Sequence, residues 1–221
     1  MASCSLLVMC SGNGSNLQAI LDACADGTIP DTSVSKVIVN RKTAYAIKRA
    51  ELSGVPSEYF NLVNKGYHAA GEKDQAKLAD ARSRYDADLA NLVLSNKPDM
   101  VVLAGWMHVF STAFLTPLEA AGIPIINLHP ALPGCYDGAN AIERAHADAQ
   151  AGVLKDGKTG VMIHYCIAQV DRGKPILVQE VECSKDDSLS DLEERIHAIE
   201  HKLLVKAVAK LTQDIIKAKS S

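Results

Sequence analysis

Three polar side chains of this sequence have the types needed for acid–base and electrostatic chemistry at one site. Asn127 and His129 stand two apart in Ile126-Asn127-Leu128-His129-Pro130. In an extended strand, residues two apart project to the same side, so an amide and an imidazole would face one pocket. Such a pair suits stabilisation of a developing oxyanion. An imidazole that works as an acid needs an orienting partner. Asp171, in Asp171-Arg172-Gly173-Lys174, is the candidate carboxylate, and its charge would favour the protonated imidazole and raise the histidine pKa. The same residues also read as structural polar groups at a strand end, and spacing alone does not bring Asp171 to His129.

A second group is Gly12-Asn13-Gly14-Ser15-Asn16, between an apolar run and an amphipathic one. Glycines allow a tight turn and close ligand approach, and exposed N–H groups at a helix start can hold a phosphate. Ser15 and Asn16 could add side-chain donors. The Walker pattern is missing, and Leu17 stands where a dinucleotide fingerprint has its third glycine. The turn therefore admits two readings: a phosphate site, or a helix N-cap with Ser15 as the capping residue.

The elements that must position these groups follow from the apolar periodicity. Residues 5–10, 34–40, 57–61, 100–104 and 123–128 read as strands. Residues 15–26, 44–53 and 74–96 read as helices, the last stopped by Pro98. After a helix over 139–151, residues 160–170 and 175–183 read as consecutive strands, and the 171–174 turn between them predicts an antiparallel hairpin. A long helix over 188–217 closes the chain, with 217–221 as a frayed tail. The expected fold is α/β: an open, mostly parallel Rossmann-like sheet with helices on both faces, then a C-terminal hairpin and long helix. No repeat or linker interrupts it, so 1–221 reads as a single domain. In such sheets ligands collect at the carboxyl ends of strands, which is where both groups of residues fall.

Composition narrows the function further. The 221 residues are 48% hydrophobic and 22% charged, with net charge −3. This is the profile of an ordinary globular chain, not of a strongly basic nucleic-acid binder. The basic residues between 202 and 210 read as a solvated helix face. The 100–118 stretch is broken by Gly105, His108, Ser111, Thr112, Thr116 and Pro117, so no membrane span is expected. No basic region precedes Leu6-Leu7-Val8-Met9-Cys10, which argues against a signal peptide. Cys4, Cys10, Cys24, Cys135, Cys166 and Cys183 form no CxxC pair. They read as reduced, mostly buried thiols of a cytoplasmic protein, with no metal site.

Several segments together resemble a known family. They are Ser11-Gly12-Asn13-Gly14-Ser15-Asn16-Leu17-Gln18-Ala19-Ile20, Val101-Val102-Leu103-Ala104-Gly105-Trp106-Met107, Ile126-Asn127-Leu128-His129-Pro130-Ala131-Leu132, Thr159-Gly160-Val161 and Val170-Asp171-Arg172-Gly173. The chain is similar over nearly all its length to the folate-dependent formyltransferases of the glycinamide ribonucleotide branch, the phosphoribosylglycinamide formyltransferases (GAR transformylases). The resemblance implies a single formyltransferase domain. It implies transfer of a formyl group from 10-formyltetrahydrofolate, a co-substrate, to the amine of glycinamide ribonucleotide in purine biosynthesis. No metal, nucleic acid or membrane would be involved, and the chain would act as a monomer or weak homodimer.

The resemblance also implies roles by position. Asn127, His129 and Asp171 would be the catalytic set, the first two stabilising the oxyanion and the third supporting the imidazole. Gly14, Ser15 and Asn16 would bind the substrate phosphate, and Glu200 would approach the substrate amine. Arg82, Met107, His108, Val109 and Phe110 would contact folate, together with Asn127 and the loop Ile167, Ala168, Gln169, Val170 and Asp171. Departures from the family pattern are Ala131, Pro133 and Gly134 after the Asn-x-His-Pro core, Asn140 where histidine is common, and His108 where arginine is frequent. Cys135 reads as a bland loop residue. Two rival readings share these residues: a formyltetrahydrofolate hydrolase with water as acceptor, which would not need a phosphate turn, and a non-catalytic nucleotide-binding module.

Overall fold

The computed structural model describes residues 2–220. Its strands are β1 (Cys4–Cys10), β2 (Thr32–Val39), β3 (Ser57–Tyr59), β4 (Met100–Leu103), β5 (Ile125–His129), β6 (Lys158–Tyr165) and β7 (Pro175–Glu182). Its helices are α1 (Ser15–Ala25), α2 (Ala46–Leu52), α3 (Gln75–Ser95), α4 (Thr112–Ala120), α5 (Ala141–Gln150) and α6 (Leu189–Ser220). The strand order is β3-β2-β1-β4-β5-β6-β7. The chain packs as two compact units, residues up to 125 with those from 212 onward, and residues 126–211.

The first unit is the parallel part. β1 pairs in parallel with β2 on one side and β4 on the other, and β2 pairs in parallel with β3. Leu6, Leu7, Val8, Met9 and Cys10 are all 0% exposed. A strand buried on both faces reads as a continuous apolar run, not as alternation. The chain moves outward from β1 through β2 to β3, then returns to place β4 on the other side of β1. That reversal makes the carboxyl ends of β1 and β4 a topological switch point, where open α/β sheets bind ligands. The Gly12–Asn16 turn follows β1, and the Gly105–Phe110 segment follows β4.

The second unit carries the antiparallel part. β6 pairs antiparallel with β5 and with β7. The hairpin predicted around residues 171–174 is present, but its first strand ends at Tyr165, not at Val170. The apolar run Cys166-Ile167-Ala168 mimics a strand, yet Ile167 and Val170 are exposed. The hairpin is closed instead by Tyr165 N–H donating to the Lys174 carbonyl at 3.1 Å. Gly173 is required there, because a Cβ would lie 1.6 Å from the Tyr165 carbonyl oxygen.

Two further expectations are corrected. The sequence reading has no element between β4 and β5, where α4 lies. Pro117 inside a nine-residue helix hides the pattern, but Ser111 caps it by accepting from Ala113 N–H, and Phe114, Leu115 and Leu118 are buried. The frayed tail is also wrong for the described residues. α6 stays helical to Ser220, and Lys219 donates to Asp99 Oδ2 at 2.6 Å and to the Ser3 carbonyl at 2.9 Å.

Candidate active site

β5 ends with Asn127 and His129 on one side of the strand, as their spacing requires. The antiparallel register places His164 of β6 directly opposite Asn127. Asp171 arrives from the loop beyond β6, in left-handed backbone at φ 54°, a conformation Asp tolerates better than most residues. Asn127 Nδ2 donates to Asp171 Oδ1 at 3.2 Å, and His129 Nδ1 lies 3.4 Å from Asp171 Oδ2. His164 Nε2 is 3.4 Å from Asp171 Oδ1 and 3.3 Å from Asn127 Nδ2. Three polar groups from two distant segments therefore meet, and His164 joins them as a fourth.

His164 was missed by the sequence reading. Its one signal is a histidine within the apolar strand Val161-Met162-Ile163-His164, and only the β5–β6 register gives that position meaning. Two main-chain groups were also illegible. Gly138 N–H donates to Asp171 Oδ2 at 2.8 Å, and His129 Nε2 donates to the Cys135 carbonyl at 3.1 Å. The 131–140 loop that supplies them is well tied. Tyr136 Oη donates to Asp148 at 2.7 Å, Arg172 pairs with Asp137 at 2.6 Å, and Asn140 takes the left-handed N-cap of α5 at φ 56°.

Electrostatics keep Asp171 ionised. Burial is the largest single influence and pushes its carboxyl upward. The hydrogen bond from His164, the Gly138 N–H and the neighbouring His129 and His164 rings outweigh burial and hold it below the ordinary 3.8. Cys166 is near enough to feel that charge, and burial together with Asp171 pushes its thiol up to about 11. It is not a thiolate nucleophile at neutral pH.

The turn after β1 is built differently from a capped helix. Gly14 occupies the α1 N-cap at φ 78°, no side chain caps the helix, and no acidic residue lies in its first turn. Ser15 is the first helical residue and not the cap, so the N-cap reading fails in its stated form. The turn is braced from α2: Arg49 Nε donates to the Asn13 carbonyl at 2.9 Å and Nη2 to Asn13 Oδ1 at 2.8 Å. Ser11, at the end of β1, accepts from Met107 N–H through its hydroxyl at 2.8 Å. Of the other expected contacts, Arg82 is exposed on α3, and Met107 and Val109 are exposed while Phe110 is buried. Ile167 to Val170 form an exposed loop, and Glu200 is buried in α6 at 5% exposure.

An amide and two imidazoles on β5 and β6 and a carboxylate from the loop beyond β6 form an arrangement suited to the class of proteins that stabilise charge on a group in transfer. Known proteins narrow the class. The formyl transferase family matches residues 4–208. Phosphoribosylglycinamide formyltransferase of Schizosaccharomyces pombe is 46% identical over 211 residues, covering 95% of this chain and 98% of that protein. The Saccharomyces cerevisiae protein of the same name is 40% identical over 217 residues, covering 96% and 99%. The crystal structure of glycinamide ribonucleotide transformylase 1 from Symbiobacterium toebii superposes with a TM-score of 0.79 at 30% identity, covering 96% of this chain and 89% of that one. The chain belongs to the formyl transferase family, in its phosphoribosylglycinamide formyltransferase branch.

Proposed function

We propose that this chain transfers a formyl group from 10-formyltetrahydrofolate to the amine of glycinamide ribonucleotide, a step of purine biosynthesis, and that residues 1–221 act as one formyltransferase domain. The observation that carries the reading is the meeting of Asn127, His129 and Asp171, with His164, at separations of 3.2–3.4 Å. Relatives at 46% and 40% identity carry the name of this activity.

The neutral amine attacks the formyl carbon, and a tetrahedral intermediate forms with negative charge on the former carbonyl oxygen. Asn127 and His129 donate to that oxygen. Each such donor typically lowers a barrier by about 2.7–4 kcal/mol. The His129 Nε2–H that donates to the Cys135 carbonyl would exchange that acceptor for the developing oxyanion. His164 decides what Asn127 has to give. Its Nδ1 faces its neighbour's carbonyl, on Tyr165, at 2.9 Å. With a hydrogen on Nε2 as well, His164 donates to Asp171, and one Asn127 N–H is left for substrate. With Nε2 bare, it takes that N–H itself.

The intermediate collapses by breaking the bond from the formyl carbon to N10 of the folate. The proton released by the attacking nitrogen passes through water, with Asp171 as relay, to N10. An ionised Asp171 is a weak base, so a proton moves through it and does not rest there. The products are formylglycinamide ribonucleotide and tetrahydrofolate.

The other roles complete the reading. Gly14, Ser15 and Asn16 hold the ribonucleotide phosphate at an uncapped helix start free of acidic residues. Glu200 approaches the amine. Arg82 and Ile167 to Asp171 contact folate, and Met107 to Phe110 line its pterin through backbone and apolar contacts. No helix among the described residues is long and apolar enough to cross a membrane. The reading includes a cytoplasmic monomer or weak homodimer.

A formyl-transfer assay with purified protein tests the proposal. Tetrahydrofolate should appear only when glycinamide ribonucleotide is present. Formate release without it would mean a hydrolase, and folate binding without turnover would mean a binding module.

A further inference from the structure

Asp86, on α3, is 0% exposed, and the proposed transfer does not use it. Both of its oxygens are taken by the segment that follows β4. His108 Nε2 lies 2.6 Å from Oδ1, and Ser111 N–H donates to Oδ2 at 2.6 Å. The start of the same segment is fixed by the Met107 N–H bond to Ser11. Between these fastenings residues 106–111 are neither helix nor strand. Their side chains alternate. His108, 7% exposed at its side chain, and buried Phe110 turn inward, while Met107 (69%) and Val109 (52%) face out. The His108 ring sits edge-on to Tyr85 at 5.2 Å and to Phe110 at 5.6 Å.

A carboxylate this deep is costly to desolvate, and apolar residues of equal volume would hold the core as well. What the pair adds is direction. Two oxygens engaged by one ring and one main-chain N–H define a single course for the backbone between them. We propose that Asp86 and His108 are positioning residues: a buried latch that sets the path of Met107 to Phe110 and through it the affinity for the folate donor. The inference rests on the reading of that segment as folate-lining. It adds Asp86, and it gives the His108 side chain a positioning role within the folate-lining segment, away from the reacting atoms.

Trp106 is the sole tryptophan and stacks on Phe110 at 6.0 Å and 19°, so its emission reports on this segment. Tetrahydrofolate is titrated into the full-length protein, following Trp106 emission and, in parallel, equilibrium dialysis. Wild type is compared with Asp86→Ala, His108→Leu and His108→Gln, and KM for glycinamide ribonucleotide is measured on each. His108→Leu should weaken tetrahydrofolate binding by about tenfold or more, as for loss of a hydrogen bond to a charged group. His108→Gln, whose amide can donate to the same carboxylate, should recover most of it. KM for the ribonucleotide should stay within about twofold. Wild-type affinity in His108→Leu overturns the latch, as does an equal loss for both substrates, which would mark a general packing role. Asp86→Leu combined with His108→Leu leaves no buried charge unpaired, so it decides the matter even where a single variant does not fold: wild-type tetrahydrofolate affinity in it overturns the latch. A wild type that does not bind tetrahydrofolate by dialysis overturns the donor reading, and the latch with it.

Discussion

Asn127 and His164 stand directly opposite each other across the β5–β6 ladder, with the amide nitrogen 3.3 Å from Nε2 of the ring. The same ring nitrogen lies 3.4 Å from Asp171 Oδ1. His164 therefore meets both partners at once: it helps hold the Asp171 carboxyl low, and its Nε2 stands within reach of the Asn127 amide.

Replacing His164 by Leu should lower kcat by about tenfold or more. It should also move the acid limb of the pH–rate profile to higher pH, because a group that depresses the Asp171 pKa is gone while burial still raises it. A profile with an unmoved acid limb would take His164 out of the site's electrostatics.

Asp171→Asn tests the carboxylate itself, in activity and in stability. Its folded-state pKa lies below the ordinary 3.8, so the stability it contributes is present above that value and is lost as pH falls through the folded pKa. Unfolding free energy measured by denaturant titration should fall more steeply on acidification below about pH 4 in the wild type than in the variant. At neutral pH kcat should drop by about a hundredfold or more. Turnover close to wild type would remove Asp171 from the mechanism.

Asn127→Ala and His129→Ala should each cut kcat by about 10²–10³, with effects on Tm too small to account for the loss. Near-normal turnover in either variant would refute that residue's role as an oxyanion donor.

The phosphate turn gives a prediction that separates folding from binding. Gly14→Ala should destabilise by about 1–2 kcal/mol from left-handed backbone alone. A further cost follows because the new Cβ would meet Ala46 Cβ at 2.8 Å. Adding Ala46→Gly should relieve some of the second part, since the Ala46 Cα would still lie at 3.0 Å, and none of the first, read as a small recovery of Tm. Arg49→Met leaves the glycine untouched but removes the brace on Asn13. It should raise KM for the ribonucleotide by about tenfold with little change in kcat. An unchanged KM would show that the turn holds its shape without the arginine.

Local chemistry along the chain was enough for the parallel strands, most helices and the pairing of Asn127 with His129 on one side of a strand. Apolar periodicity and the two-residue repeat of extended backbone are properties of short windows, so Leu6 to Cys10 and Asn127-Leu128-His129 declare themselves without the rest of the fold. Residue type made Asp171 a candidate partner and likeness to a family singled it out, because a separation of 42 residues carries no distance. Where local patterns misled, a tertiary contact had overruled them. Ile167 and Val170 look like strand residues, but the Tyr165–Lys174 bond ends the strand before them. Residues 217–220 look frayed, but Lys219 is bound to Asp99. His164, the Gly138 N–H and the Asp86–His108 pair became visible only with the register of β6 and the packing of α3. Hydrogen bonds between segments far apart in the chain depend on where folding delivers each group, and neither composition nor spacing encodes that delivery in a form a local reading can extract.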